Sequence, residues 1–254
     1  MNHFFHQWGT ILINKISLEP AFVLHTRAFQ ETSIIVDFFT QSYGRLNAIA
    51  KGAKRPKSPL RSVLTPASKL SITLSGKNDL KTLSSVEIID HYQLNSGTSL
   101  NSIIYVNELI TKATEKEDPH VEIFKHYEKL IINLSDNSSA GDLEKVLRKF
   151  ELNLLQEMGY GIDLTRDAET NQKIEHDNNY KFDPERGFVS EDKITSVKLF
   201  SGKDIINFSK GDFEKKETRD SAKFIMRQAL DFHLGNKSLN ICLLYTSDAA
   251  DERN

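Results

Sequence analysis

The sequence predicts an α+β protein: a small β-barrel, then an all-helical domain carrying an irregular insertion. Three observations predict it. Residues 21–90 break into short segments rich in apolar, aromatic and β-branched residues, one of them of clean period two, separated by glycine turns. From about residue 98 the apolar period lengthens to that of a helix. The formal charge divides at the same place: residues 21–95 hold ten Lys/Arg against five Asp/Glu, and residues 96–254 hold 22 against 29. A basic part joined to an acidic one points to a polyanion-binding domain with a partner of different duties. A length of 254 residues, 39% apolar and 27% charged, fits one large or two modest folded domains. No apolar run approaches the roughly 20 residues of a membrane-spanning helix. The start, MNHFFHQWGTILINKISLEP, has neither a basic leader nor a small-residue cleavage site. The single cysteine, Cys242, excludes an internal disulfide and a four-thiolate zinc site. The reducing cytoplasm is the expected compartment.

Residues 1–20 read as an N-terminal extension. AFVLHTRAF (21–29) and TSIIVDFF (32–39) are short and rich in aromatic and β-branched residues. KLSITLS (69–75) alternates, with Leu70, Ile72 and Leu74 on one face and Ser71, Thr73 and Ser75 on the other. Turns fall at Tyr43-Gly44, at Lys51-Gly52 and at residues 76–79. About five strands in some 70 residues suggest a closed or partly open barrel, with OB and SH3-like arrangements both open. In the second half, Leu100, Ile103, Ile104, Leu109 and Ile110 form a helical stripe behind Thr98 or Ser99 as cap. Pro119 suits the first position of a second helix bearing Val121, Phe124, Tyr127, Ile131 and Leu134. A third is expected from Asp142, with Leu143, Val146, Leu147, Phe150, Leu154 and Met158, ended by Gly159 and Gly161. Residues 162–195 read as loops with a small hairpin around Tyr180, Phe182 and Phe188. A last helix is expected from Thr218 to Leu234, stopped by Gly235.

The strongest chemical signal is residues 41–78, with eight cations and no carboxylate: Arg45, Lys51, Lys54, Arg55, Lys57, Arg61, Lys69 and Lys77. Their centre, KGAKRPKSPLR, reads as an exposed, stiff loop suited to phosphates. Contacts of this kind release counterions and give salt-sensitive binding that is indifferent to base sequence. No helix carries the Asn/Gln/Arg array that reads base edges. Phe38, Phe39 and Tyr43 are the nearest aromatics for base stacking, although strand phenylalanines usually belong to a core. Catalytic signals are weak. The phosphate-binding loop of ATPases is absent, and His3 and His6 lack a carboxylate or thiolate beside them. Glu31 and Asp37 read as an exposed strand face rather than as the metal-binding pair of a nuclease. On the third helix Lys145, Arg148 and Lys149 share a side next to Leu152 and Leu155, an arrangement suited to an acidic peptide with an apolar end. Ion pairs within the helix, to Glu144 or Glu151, are the plainer alternative.

AFVLHTRAFQETSIIVDFFTQSYGRLNAIAKGAKRPKSPLR and LTPASKLSITLSGKNDLKTLSSVE closely resemble the N-terminal domain of the bacterial RecO family of DNA repair proteins. YVNELITKA and LRKFELNLLQEMGYGIDL resemble that family's helical domain, and YKFDPERGFVS the stretch after it. The likeness runs from about Ala21 to about Leu239. It implies an OB-fold over residues 21–95 and a helical domain over 96–240, with the insertion at about 162–195. It implies a non-enzymatic mediator, without cofactor, that binds single- and double-stranded DNA and anneals complementary strands. With RecR, such a mediator helps RecA replace single-strand-binding protein (SSB). The family's DNA surface carries over to Arg45, Lys51, Lys54, Arg55, Lys57, Arg61, Lys77 and Lys81. Its docking site for the acidic, apolar-ended SSB tail falls on the third helix, where Arg148 matches an LRRFE-like motif among Lys145, Lys149, Leu152 and Leu155. Many members carry a four-cysteine zinc site after the GYG turn. Residues 162–195 hold no cysteine, so no structural metal is expected. The end, CLLYTSDAADERN, is similar to a translated transposon-type sequencing adapter, and residues 241–254 are expected to be a non-native tail.

Overall fold

The computed structural model describes residues 15–94, 96–136, 140–191 and 197–235. His3, His6 and the tail with Cys242 lie outside these. The chain divides into two compact units, Met1–His91 with Lys116–Pro119, and Tyr92–Glu115 with His120–Asn254.

The first unit is built from β1 (Lys15–Phe29), β2 (Ser33–Thr40), β3 (Gly44–Ala50), a single helical turn α1 (Leu60–Val63), β4 (Ser68–Ser75) and β5 (Leu80–His91). The strands close in the order β1-β2-β3-β5-β4, with β4 returning to β1. β3 and β5 run parallel and the other pairs antiparallel. A simple meander would place β4 beside β3. The exchange of β4 and β5 makes this an OB-fold rather than an SH3-like barrel. Alternation along the strands sends Val36 and Phe38, Leu46 and Ala48, and Leu70, Ile72 and Leu74 into one buried core. The face expected for KLSITLS is the face that is buried.

One expectation needs correcting. β1 begins at Lys15, so residues 15–20 are barrel rather than extension. These residues close the fold: Lys15, Ile16, Glu19 and Pro20 pair with Ser75, Leu74, Ile72 and Ser71 of β4, whereas β1 meets β2 only from Ala21 onward. The period-two signal is hidden by a bulge between Ile16 and Glu19, where Leu18 takes φ 54°. Pro20 further disguises the strand, although proline is tolerated at such an irregularity.

In the second unit, α2 (Gly97–Ala113), α3 (Val121–Ser135) and α4 (Ala140–Glu157) precede a three-stranded sheet of β6 (Asn179–Asp183), β7 (Gly187–Ser190) and β8 (Leu199–Ser201). α5 (Gly202–Lys210) and α6 (Lys216–His233) follow. α4 packs on α3 and α6. The cap of α2 is Ser96, not Thr98 or Ser99; its Oγ accepts from the Ser99 amide at 3.0 Å. α3 starts at Val121, two residues after Pro119, because the residues before it are committed to the barrel unit. The Glu117 amide donates to the Arg45 carbonyl at 3.1 Å, and Lys116 bridges to Arg45. β8 and α5 escape a sequence reading, since three strand residues and nine helical ones leave too little period to detect. α5 is nonetheless well punctuated, with Ser201 capping Asp204 and Gly211 left-handed at its end.

The insertion is organised by a carboxylate. Asp167 accepts from the amides of Glu169 and Thr170 at 2.8 Å and of Ser190 at 2.7 Å, tying the loop to β7. Burial opposes ionisation of Asp167, but these amides outweigh it and hold the carboxyl far below its ordinary range.

Candidate nucleic-acid interface

The chain from β3 to β4, residues 51–67, is a platform rather than a floating loop. Ala53 and Leu64 are buried in the barrel core, and Leu60 and Val63 of α1 pack against it. The Lys54 amide donates to the Thr32 carbonyl at 2.9 Å and its Nζ to the Gln30 carbonyl at 3.3 Å, fastening the segment to the β1–β2 turn. Two tight turns follow, from the Arg55 amide to Gly52 and from the Ser58 amide to Arg55. Gly52 stands at φ 73°, where a side chain is disfavoured. Anchoring four apolar residues turns the intervening ones outward. Lys51, Lys54, Arg55, Lys57 and Arg61 are all exposed. Together with exposed Lys77 in the β4–β5 turn, none of them is paired with a carboxylate among the described residues.

Two of the expected DNA contacts lie elsewhere. Arg45 is buried on β3, its backbone engaged by Lys116 and Glu117. Lys81 is buried on β5, with Nζ 3.7 Å from Glu117 Oε1. Both displacements have one cause: Lys116–Pro119 lies against β3 and β5, and its Glu117 draws in Lys81. Asn47 joins the same contact, donating to Asp37 and accepting from Lys116 Nζ at 2.8 Å. Asp37 is thereby half-buried and hydrogen-bonded, while Glu31 sits exposed in the β1–β2 turn. Among the described residues no group of three or more His, Cys, Asp or Glu is placed to hold a metal. Phe38 and Phe39 are fully buried, and Tyr43 packs against the core. The platform therefore presents charge without rings.

Gly44 marks how closely Lys116–Pro119 approaches. It has φ 66°, and a Cβ there would strike the backbone of Asp118. Gly44→Ala is expected to destabilise the barrel unit by about 1–3 kcal/mol from backbone strain alone. A lower thermal midpoint and faster exchange of the Glu117 amide would report it. Unchanged exchange there would mean that the close approach does not persist in solution.

On α4 the five expected tail-binding residues divide between two faces. Lys145 and Lys149 line a groove of about 360 Å³ against α3, with His126 and Lys129 opposite them, Leu130, Val146 and Phe150 as the apolar wall, and Asp142 among the polar residues. Arg148 and Leu155 are buried and Leu152 half-buried, and none of the three lines the groove. This corrects the expectation of a single surface: positions 148 and 149 are about 100° apart around a helix. Arg148 Nη2 is 2.8 Å from Glu151 Oε1, and its Nε is 3.7 Å from Glu144 Oε2, the pairs that were the plainer alternative. Tyr105 of α2 donates to the same Glu151 oxygen at 2.8 Å. Burial pushes the Glu151 carboxyl up to about 6, against the opposing pull of Arg148 and Tyr105. Sequence reading missed His126 and Lys129, because their part in the groove depends on how α3 meets α4.

No helix of the described residues is long and apolar enough to cross a membrane. Residues 16–92 match the family model for the recombination protein O N terminal, and residues 95–240 match that for the recombination protein O C terminal. The DNA repair protein RecO of Glaesserella parasuis serovar 5 (strain SH0165) is 38% identical over 229 residues, spanning 90% of this chain and 95% of that protein. That of Haemophilus influenzae (strain 86-028NP) is 38% identical over 234 residues, 91% of this chain and 96% of its own length. That of Nitrosospira multiformis is 38% identical over 225 residues, with 87% and 91% covered.

Proposed function

The chain belongs to the recombination protein O (RecO) family, with a role in DNA repair and recombination, and from that membership we propose that it is a non-enzymatic strand-annealing mediator. The observation that carries this reading is the anchored platform of Lys51, Lys54, Arg55, Lys57 and Arg61, exposed and free of carboxylate partners among the described residues.

Two DNA strands repel each other through their phosphates, so a surface that neutralises one backbone lowers the barrier to the approach of the second. Rigidity matters, because cations already fixed in space lose little entropy when a strand binds. The lack of exposed rings on the platform matters as well. Stacking would hold bases that have to be free to pair, whereas contacts to phosphate leave base edges available and serve single- and double-stranded DNA alike. Nothing in this scheme uses nucleotide hydrolysis, in keeping with a sequence that lacks the ATPase loop.

The helical unit supplies recruitment. The groove between α3 and α4 sets Lys129, Lys145 and Lys149 around an apolar wall, a match for the acidic, apolar-ended tail of SSB. Engaging that tail brings the platform to coated strands, where with RecR it helps load RecA. The setting is cytoplasmic, at the nucleoid.

Annealing of SSB-coated complementary strands without ATP tests the reading. Faster annealing than with SSB alone is expected. Acceleration on complementary RNA but none on coated DNA would instead make the chain an RNA-binding adaptor.

A further inference from the structure

The α3–α4 groove contains one group able to change charge near neutral pH, and its position gives that change a use. His126 projects from α3 into the groove, and its Nδ1 meets Asn153 Nδ2 of α4 at 3.2 Å. An amide nitrogen only donates, so this contact makes Nδ1 an acceptor and the ring neutral, with its proton on Nε2. Lys129, Lys145 and Lys149 line the same groove, and Asp142 is the acid among its lining residues. Resting on the reading of this groove as the seat of an acidic segment, we infer that His126 takes up a proton when the segment binds, so that occupancy of the helical unit is controlled by pH.

Electrostatics set the sign. In the empty groove, burial works against the charged imidazole first and Lys129 second; Glu157 and Glu122 oppose them, and Lys149 adds to the suppression. These charges come from both helices that flank the ring, and their balance holds it below its ordinary value of 6.5. An acidic segment laid across the groove offsets Lys129 and Lys149 and adds carboxylates of its own. The bound complex then holds the imidazolium more firmly than the free protein does. Binding that favours the protonated form has to strengthen as pH falls through the interval between the two values. Each unit by which the ligand raises the pKa allows up to about a tenfold gain in affinity. Asn153 answers the same change, because its amide has to turn its oxygen toward the new Nδ1–H.

Glu151, whose carboxyl burial pushes up to about 6, faces Tyr105 and Arg148 rather than the groove. A His126 substitution therefore separates the two groups. The test is isothermal titration of the full chain with a peptide of five aspartates ending in a free-carboxylate phenylalanine. It is run from pH 5.5 to 8.0, and at pH 6.5 in phosphate and in imidazole buffers, whose ionisation heats differ.

The expected result is about threefold to tenfold tighter binding at the acid end, with buffer-dependent heat that reports proton uptake. In His126→Gln both should vanish, with affinity close to the wild-type value at pH 8.0 and an unchanged circular dichroism spectrum. Wild-type binding that ignores pH, or a pH dependence that survives in His126→Gln, overturns the proton linkage while leaving the groove as the peptide site. Failure of the peptide to bind at any pH, or equal binding after Lys145→Ala/Lys149→Ala, overturns the assignment of the groove and the linkage with it.

Discussion

Reversing Lys54, Arg55 and Lys57 to glutamate should weaken DNA binding by about 100-fold or more at low salt and flatten its salt dependence. For single strands each phosphate contact contributes about 0.7 to the slope of log affinity against log salt, so losing three should remove about 2. Affinity measured by fluorescence anisotropy from 50 to 300 mM salt would read both quantities. The effect exceeds that of neutralisation to alanine, because the introduced carboxylates repel phosphate as well as failing to attract it. The fold should hold: the three side chains are exposed, the variant gives up only the exposed Lys54 Nζ bond to the Gln30 carbonyl, and Ala53, Leu60, Val63 and Leu64 with the Lys54 and Arg55 amides still anchor the segment. An unchanged salt slope would mean that phosphate is held elsewhere, and annealing at the wild-type rate would sink the mediator reading with it.

The contrast with Arg45 and Lys81 shows what a linear sequence contains and what it lacks. All eight expected DNA contacts are cationic, and six are exposed on the barrel unit. That much is local: prolines, glycines and the absence of acids over 51–61 mark an exposed basic stretch whatever the rest of the chain does. Arg45 and Lys81 differ because of Lys116 and Glu117, which lie some 35 to 70 positions away in sequence. No periodicity announces that such a short acidic stretch joins the barrel rather than capping a helix.

The same division holds for the fold. Leu70, Ile72 and Leu74 were legible because alternation is a property of the strand itself. Barrel closure was not, because a bulge and a proline interrupt the first residues of β1, and only pairing with β4 makes them strand. In the helical unit the apolar stripes of α2 to α4 were mostly plain from spacing, although Leu100, Ile104 and Val121, expected within them, are exposed. The groove was half-legible, since Lys145 and Lys149 belong to one helix while His126 and Lys129 come from another. Organisation of the insertion around Asp167 was invisible, because one aspartate among several polar residues carries no signal until three amides converge on it.

Arg148 gives the second large effect, on stability before binding. Arg148→Ala leaves the fully buried Glu151 carboxylate with Tyr105 as its remaining donor, and removing one partner of a buried ion pair costs about 3–5 kcal/mol. The deficit should depend on pH. Glu151 has its folded pKa raised from 4.5 to about 6, so the folded state binds the extra proton and its stability falls as pH rises through that window, by about 2 kcal/mol in total. Without Arg148 the carboxyl is pushed higher still, which carries the loss beyond pH 6. Urea unfolding should therefore show a variant close to wild type at pH 5 and furthest from it at pH 8. A deficit that stays constant across this range would mean that lost packing, not an unpaired charge, is responsible. Replacing the pair together, Arg148→Met with Glu151→Leu, should recover most of the stability, because both charges leave the interior at once. The comparison with Lys149→Ala then decides how α4 meets an acidic tail. Lys149 is exposed in the groove, so its loss should weaken tail binding by about tenfold without shifting the urea midpoint. If the stable Arg148→Met/Glu151→Leu chain binds the tail as wild type does, Arg148 acts by holding α4 in place. If it has lost the tail while Lys149→Ala has not, the guanidinium leaves its buried pair to grip the ligand directly.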